Sequence, residues 1–230
     1  MGLELEIYKD YYDDGVDLYT SDKLVLNPNV VTTLVGCNGS GKTTLIHQIK
    51  EKLDKSFSLD DDSDIKVMYF NNLSDGGNYS LEKAMFRGDM SGMATLWSSS
   101  EGERISNNVG NEIFSNLAYI INNNSYGKIV VLLDAVDSGL DITNIDEIVT
   151  CFKDLAIAEA KKLGIELYIV ISTNSYEFCI ENDCIDITSL EHIEVNSYDE
   201  YRDLIIKSDE HKMKRYDDIN AIKKKLRSEK

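Results

Sequence analysis

The chain has 230 residues, of which 42% are hydrophobic and 28% charged. This composition is typical of an ordinary globular domain that buries a core, and it excludes collagen-like, mucin-like and wholly disordered chains. Because 41 acidic residues outnumber 24 basic ones, the formal net charge is −17, and the mean field repels nucleic-acid backbones and anionic membranes. These values disfavour a protein that coats DNA.

We expect neither a membrane segment nor an export signal from this sequence. No stretch approaches the roughly 18 apolar residues of a membrane span, and the first residues are too acidic for a presequence. The four cysteines form no C-x-x-C pair, and the three histidines show no metal-ligand spacing with them. We therefore expect a cytoplasmic protein with free thiols, no transition metal and no membrane contact.

The N-terminal part of the chain predicts short strands followed by a strand and a helix. Alternating apolar residues predict strands over 3–8, 16–19 and 23–26, which together form an antiparallel N-terminal sheet. The β-branched run 30–35 predicts a buried strand, and residues 42–55 predict a helix.

Beyond this point strands and helices alternate. The predicted elements are a strand at 65–70, helices near 80–87 and between 105 and 121, a strand at 128–133, a helix at 142–163 and a strand at 165–171. This alternation predicts an α/β fold with a mostly parallel central sheet. With one proline and no internal repeat, we expect a single domain over residues 1–230.

The most specific motif lies between the strand at 30–35 and the helix at 42–55. Residues 36–43 read GCNGSGKT and fit the pattern G-x-x-x-x-G-K-[ST] in full. In such a loop the backbone N–H groups surround phosphates, the lysine reaches the β- and γ-phosphates, and the hydroxyl binds Mg²⁺. The alternative is a glycine-rich turn without a ligand. The predicted residues that bind ATP and Mg²⁺ are Asn38, Gly39, Ser40, Gly41, Lys42, Thr43 and Thr44.

An acidic residue follows a second buried strand. The apolar run 129–133 ends in Asp134, and a carboxylate at a strand end beside a phosphate loop is suited to a second contact with Mg²⁺. The alternative is a carboxylate that only begins a turn. Read together with Thr43, Asp134 predicts a magnesium site.

Residues 133–141, LDAVDSGLD, resemble the Walker B motif and D-loop of the ABC ATPase superfamily. Residues 99–103, SSEGE, look like a variant of the ABC signature, with Ser99 where leucine is usual and Glu101 where the first glycine is usual. Asn71 or Asn72 stands where this family has its Q-loop glutamine, and Asn174 replaces the switch histidine.

The resemblance implies a P-loop NTPase of ABC type, with an N-terminal antiparallel β subdomain and a helical signature region. It also implies an ATP-sandwich homodimer, in which the phosphate loop of one subunit and Ser100 and Gly102 of the other close on one γ-phosphate. Asn71 joins Thr43 and Asp134 as an implied metal contact. The phosphate loop and the signature are too close in sequence for a long coiled-coil insertion.

The family's catalytic glutamate is replaced by Ala135. A methyl group cannot accept the proton of the attacking water, and the loss of a general base costs about 10²–10⁴-fold in rate. Either the subunit is naturally inactive, or a glutamate has been replaced to trap ATP, and the intact neighbouring motifs favour the second interpretation. Asp137 is an alternative base, although its position indicates a loop residue. We therefore expect an ATP hydrolase with impaired turnover.

The leading functional hypothesis is an ATP-driven engine outside the transporter branch. Its motifs look closer to the ATPase heads of DNA-repair, chromosome-maintenance and overcoming-lysogenization-defect-type proteins than to transporter subunits. Such an engine gates a separate effector, for example a nuclease, in DNA repair or antiviral defence, and nucleic acid is reached through that partner. The alternatives are a nucleotide-sensing scaffold without turnover and a transporter nucleotide-binding subunit. Tyr11 is a candidate for stacking on adenine, and the basic run 223–227 indicates a solvated helix end.

Overall fold

The computed structural model describes residues 2–57, 64–71, 113–123, 125–137 and 140–228. Its first elements are β1 (Leu3–Glu6), β2 (Lys23–Leu26), β3 (Val30–Val35), α1 (Lys42–Phe57) and β4 (Ile65–Asn71). They are followed by α2 (Ser115–Asn123), β5 (Lys128–Asp134), α3 (Ile142–Thr150), a π-helical segment (Cys151–Ile157) and α4 (Ala158–Leu163). The last elements are β6 (Glu166–Ser172), a 3₁₀ turn (Tyr176–Cys179), β7 (Asp183–Asp186), β8 (His192–Ile193) and α5 (Tyr198–Ser228).

A six-stranded sheet with the order β4-β5-β6-β3-β7-β8 is the centre of the described fold. Strands β4, β5, β6, β3 and β7 run parallel to one another, and β8, at the edge of this described sheet, pairs antiparallel with β7. The register aligns Asn71 with Asp134 and Asp134 with Ser172. In a parallel sheet the carboxyl ends of the strands meet at one edge, where ligands bind in folds of this kind. Three polar strand ends therefore lie side by side at that edge.

Both faces of the sheet are covered. Because successive side chains of a strand point to opposite faces, Val130 and Leu132 of β5 pack in the cluster that contains Leu45 and Ile49 of α1. Val131 belongs instead to the cluster that holds α2 and α3 side chains. Strands buried on both faces read as continuous apolar runs, which is why β5 and β6 can be recognised in the sequence.

The structure confirms an α/β fold with a mostly parallel central sheet and an antiparallel N-terminal pair, in which Leu3 is opposite Leu26. The predicted strand at 16–19 is wrong, because these residues form bends and irregular backbone instead. Their apolar side chains pack in the core from a loop: Leu18 is 5% exposed and Tyr19 is fully buried. The Tyr19 hydroxyl donates to the carbonyl of Gly41 at 2.8 Å. The apolar pattern that predicted a strand therefore comes from buried side chains that fix this loop to the start of α1.

The long predicted helix at 142–163 is observed as three consecutive helical segments, α3, the π-helical segment and α4. The predicted helix at 80–87 and the signature residues Ser100 and Gly102 lie outside the described residues. Within the ranges described, no helix has both the length and the apolar character that crossing a bilayer requires.

Candidate nucleotide-binding site

The loop between β3 and α1 has a backbone that requires glycine at two positions. Gly39 and Gly41 have φ angles of 76° and 106°, in the left-handed region that other residues avoid. A Cβ atom at Gly41 would also lie 2.9 Å from the side chain of Leu18. The N–H of Leu45 donates to the carbonyl of Gly41 and makes the first bond of the helix. The N–H groups of the three preceding residues therefore belong to the first turn, where N–H groups have no acceptor within the helix. Such a turn is a ready site for an anion.

Lys42 folds back over this loop. Its ammonium donates to the carbonyl oxygens of Gly36 at 2.6 Å and Cys37 at 3.0 Å, and to the Oδ1 of Asn174 at 3.0 Å. Burial lowers the pKa of Lys42, and the nearby Cys37 and the carboxylates of Asp137 and Asp134 act in the opposite direction. The ammonium is therefore desolvated and held by neutral acceptors, which phosphate oxygens can replace with stronger, charge-assisted bonds.

A hydroxyl and a carboxylate face each other beside the loop. The Oγ1 of Thr43 donates to Oδ1 of Asp134 at 3.0 Å, and the Nδ2 of Asn71 donates to Oδ2 of Asp134 at 3.2 Å. The same amide nitrogen also donates to the hydroxyl of Tyr69 at 3.0 Å. Asp134 is only 1% exposed. Carboxylate and hydroxyl oxygens suit Mg²⁺, so Thr43 and Asp134 fit this ion, whereas Asn71 orients the carboxylate here.

Ala135 follows Asp134 with an unusual backbone. Its φ of 53° lies in the left-handed region, and its N–H donates to the carbonyl of Ser172 at 3.1 Å. A left-handed conformation costs a residue with a Cβ roughly 1–2 kcal/mol, and such strain concentrates at functional sites. The bend at the end of β5 places residue 135 on the wall of the same cavity as Lys42 and Thr43.

Two residues hold Asn174: Asp137, which the sequence indicated only as an alternative base or a loop residue, and Tyr201, which the sequence did not single out. The Oδ2 of Asp137 accepts the N–H of Asn174 at 2.8 Å, and the hydroxyl of Tyr201 donates to its carbonyl at 2.7 Å. Because the side chain of Asn174 accepts from Lys42, this residue is held on both its backbone and its side chain. Asp137 thus has a positioning contact that its place in the sequence did not indicate.

These groups surround a cavity of about 850 Å³ with three walls. The glycine loop and the start of α1 form one wall, the ends of β5 and β6 another, and the N-terminal loop and α5 the third. From the N-terminal loop it is Tyr12, and not the predicted Tyr11, that lines the cavity, and its hydroxyl lies 2.9 Å from Oγ1 of Thr44. The rings of Tyr11 and Tyr12 meet edge to face at 5.3 Å, so Tyr11 packs against a residue of the cavity wall.

The predicted phosphate-loop residues lie together in the structure. Those that line the cavity are Asn38, Gly39, Gly41, Lys42, Thr43 and Thr44. Ser40 is buried inside the loop, and its hydroxyl has no hydrogen-bond partner among the described residues. Helix α5, which the sequence did not connect with this site, covers the outside of the loop: the hydroxyl of Ser208 accepts the N–H of Cys37 at 3.0 Å.

The site combines a parallel sheet, a buried strand that leads through a glycine loop into a helix, and an acidic residue at the end of a nearby strand. Together these features define the P-loop nucleotide-binding class. No protein-family model matches the chain, and no curated protein matches its sequence.

The solved structures that are similar to this chain include two from ABC transporters. One is a nucleotide-free ATP-binding cassette from an ABC transporter, at 14% identity over 89% of this chain and 95% of that chain, with a TM-score of 0.49. The other is cbiO1 from Clostridium perfringens, part of the ABC transporter complex cbiONQ, at 15% identity over 80% of this chain and 82% of that chain, with a TM-score of 0.41.

Proposed function

We propose that this protein binds ATP with Mg²⁺ in the cavity between the glycine loop and Asp134. The observation that carries the proposal is the complete G-x-x-x-x-G-K-[ST] loop, with Lys42 folded over it and Thr43 hydrogen-bonded to Asp134 at 3.0 Å. Backbone N–H groups of the first turn of α1 would hold the phosphates, and Lys42 would exchange its carbonyl acceptors for β- and γ-phosphate oxygens. Thr43 and Asp134 would hold Mg²⁺.

The reaction that best fits these groups is hydrolysis of the γ-phosphate by an engine of ABC type. Mg²⁺ would neutralise the charge that develops on the phosphates, and Lys42 would stabilise the same charge from the loop. Asp137 is a weak candidate for the base, because its carboxylate already accepts the N–H of Asn174. Ala135 leaves the position next to Asp134 without a proton acceptor, so the proposed hydrolysis is slow.

The partner side of the proposal depends on the motif resemblance. Ser100 and Gly102 of a second copy would bind the γ-phosphate and close an ATP-sandwich homodimer, and this dimer would gate an effector such as a nuclease. The whole chain, residues 1–230, would act as one ATPase domain in the cytoplasm, and any nucleic acid would be contacted through the effector. A Ser100→Arg variant that still binds ATP but stays monomeric in light scattering would support this arrangement. Dimerisation with and without ATP to the same extent would contradict it.

A second candidate function is a nucleotide sensor that binds ATP without turnover. The observation that favours it is Ala135, which lines the cavity with a methyl group where a base would act. Both functions include ATP binding. They predict different results for a carboxylate at residue 135, which would increase hydrolysis in the engine and not in the sensor.

Calorimetric titration of Mg²⁺-ATP into the protein tests the binding step. Loss of a charge-assisted contact weakens binding by roughly 1.5–3 kcal/mol, so we expect Lys42→Ala to lower the affinity by about tenfold or more. Lys50→Ala is the matched control, because Lys50 lies in the same helix and pairs with Asp54 at 2.6 Å, away from the loop. Equal affinity of Lys42→Ala and the parent protein would overturn the proposal.

A further inference from the structure

One face of α5 lies along the nucleotide cavity. Arg215, Ile219 and Lys223 line it, and Lys212 donates to the carbonyl of Asn38 in the glycine loop at 3.2 Å. These four residues are spaced three or four positions apart, which places them on one side of a helix. The face runs about 16 Å from Lys212 to Lys223, at 1.5 Å per residue. This face of α5 therefore extends from the phosphate loop into the part of the cavity that the nucleoside of a bound nucleotide would occupy.

The position of α5 is fixed at both sides of the cavity. At the loop, Ser208 accepts the N–H of Cys37 at 3.0 Å, and a Cβ atom at Gly39 would lie 3.7 Å from the side chain of Lys212. At the N-terminal loop, the guanidinium of Arg215 pairs with Asp14 at 2.5 Å. These contacts join α5 to the two other walls that they reach, the glycine loop and the N-terminal loop. The face of α5 that lines the cavity is therefore held in a fixed position relative to both.

The chemistry of this face suits the nucleoside part of a nucleotide. Ile219 is 8% exposed and offers an apolar surface, while Tyr12 offers an aromatic ring from the N-terminal loop. The described residues that line the cavity include the cations Lys42, Arg215 and Lys223 and the carboxylate of Asp14, and the carboxylate of Asp134 lies beside it on Thr43. The lining is thus richer in cations than the chain as a whole, whose net charge is −17. Cations concentrated in a cleft of an acidic protein attract an anionic ligand.

We propose that α5 is a nucleotide-binding element whose cavity face, from residue 216 to residue 223, contacts the base and ribose of the bound nucleoside triphosphate. The phosphates lie on the glycine loop and the nucleoside lies between the N-terminal loop and α5, so that one chain contacts both ends of the nucleotide and the γ-phosphate stays open to a second copy. This inference rests on the proposed nucleotide binding. It assigns a role to α5, a wall of the cavity that contains none of the sequence motifs.

Substituting a bulky side chain on the cavity face tests the inference. Asn220 and Ala221 are both exposed on the same helix, but of the two it is Asn220 that lines the cavity, so Asn220→Trp and Ala221→Trp form a matched pair. Each variant is titrated with Mg²⁺-ATP and with inorganic tripolyphosphate, which has the phosphates but no nucleoside. We expect Asn220→Trp to lower ATP affinity by about tenfold and tripolyphosphate affinity by less than about twofold. Ala221→Trp should change neither.

The outcomes separate the two proposals. If Asn220→Trp binds ATP within about twofold of the parent protein, or loses ATP and tripolyphosphate equally, α5 does not contact the nucleoside. If the parent protein binds neither ligand, the proposed function itself fails.

A second pair of variants avoids substituting a bulky side chain. Lys223 and Lys224 are both exposed, and Lys223 is the one that lines the cavity. Lys223→Glu therefore reverses a charge on the cavity wall, and Lys224→Glu makes the same change on another face of the helix. We expect Lys223→Glu to weaken ATP binding several-fold more than Lys224→Glu, because charge near a cleft acts more strongly than charge in open solvent. Equal effects would overturn the inference even if Asn220→Trp does not fold.

Discussion

Thr43 and Asp134 are joined by a hydrogen bond of 3.0 Å although 91 residues separate them in the chain. The bond connects the first turn of α1 with the end of β5, and the amide of Asn71 holds the other carboxylate oxygen. The carboxylate is therefore oriented from two sides before any ligand binds. Preorganised oxygen ligands of this kind lower the cost of binding a small, strongly hydrated ion such as Mg²⁺.

The first prediction concerns this pair. Asp134→Asn keeps the size of the side chain and an oxygen that accepts from Thr43, but it removes the charge that would bind Mg²⁺. We expect ATP affinity in Mg²⁺ to fall by about tenfold or more, since a bond to a charged group is worth roughly 1.5–3 kcal/mol. Affinity measured by calorimetry in excess chelator should change little.

The control for this prediction is Asp146→Asn, which removes an exposed carboxylate of α3. It should leave both affinities as they are in the parent protein. If Asp134→Asn weakens ATP binding equally with and without Mg²⁺, Asp134 supports the fold of the loop and does not bind the metal.

The second prediction is a pH dependence that originates at Lys42. Burial lowers the pKa of its ammonium, and only the protonated form donates strong, charge-assisted bonds to phosphate. Raising the pH through this lowered pKa should therefore weaken ATP binding, and below it the affinity should be independent of this group. In the pH range of the loss, binding should take up a proton, because bound phosphates favour the charged form.

Calorimetry in two buffers with different ionisation enthalpies measures that proton uptake directly. Lys42→Ala should bind weakly at every pH and should show no uptake in this range. The same uptake in Lys42→Ala would assign the titration to another group.

The sequence predicts the phosphate loop and its acidic counterpart because each is encoded locally. A continuous apolar run ends in the glycine loop, and another ends in Asp134, so strand, loop and carboxylate are read from neighbouring residues. The parallel register then brings Asn71, Asp134 and Ser172 side by side. That edge of the sheet was predictable in outline.

The rest of the site depends on contacts between distant segments. Leu18 and Tyr19 have the pattern of a short strand, yet a tertiary hydrogen bond from Tyr19 to Gly41 fixes them in a loop. Helix α5 reaches the phosphate loop through the polar side chains of Ser208 and Lys212, for which the sequence predicts no contact. Hydrophobic periodicity carries no information about such polar contacts.

The third prediction is that Ala135→Glu raises turnover. Residue 135 lines the cavity beside Lys42 and Thr43, so a carboxylate there could accept the proton of a water that attacks the γ-phosphate. A general base contributes about 10²–10⁴-fold, and we expect steady-state phosphate release to increase by about 10²-fold. ATP affinity should change little, because the loop and the metal contacts are untouched.

Ala118→Glu places the same charge on an exposed position of α2 and should not alter phosphate release. No gain from Ala135→Glu, under conditions where ATP binds, would favour the nucleotide sensor over the hydrolytic engine. The left-handed φ of 53° at this residue also predicts a gain in stability for Ala135→Gly, measurable as a higher midpoint of chemical unfolding.

The fourth prediction concerns the ion pair between Arg215 and Asp14, which ties α5 to the N-terminal loop. The side chains are 11% and 26% exposed, and the charged atoms are 2.5 Å apart. The ion pair of Lys50 and Asp54 has a similar distance of 2.6 Å, but its side chains are 40% and 46% exposed. Burial is therefore the main difference between the two pairs, and it should decide what each contributes to stability.

Removing one partner of a buried pair leaves the other charge without compensation and costs about 3–5 kcal/mol, whereas exposed pairs contribute about 0.2–1 kcal/mol. Since Asp14 keeps some contact with water, we expect Asp14→Ala to lower the free energy of unfolding by about 1–2 kcal/mol, between these limits. Asp54→Ala should cost about 0.3–0.5 kcal/mol, as other i, i+4 pairs do. Urea unfolding of both single variants, of Arg215→Ala and of the double variant measures the coupling energy directly. If the Arg215 and Asp14 substitutions are additive, the pair does not hold α5 against the cavity, and the contacts of Ser208 and Lys212 must fix the helix alone.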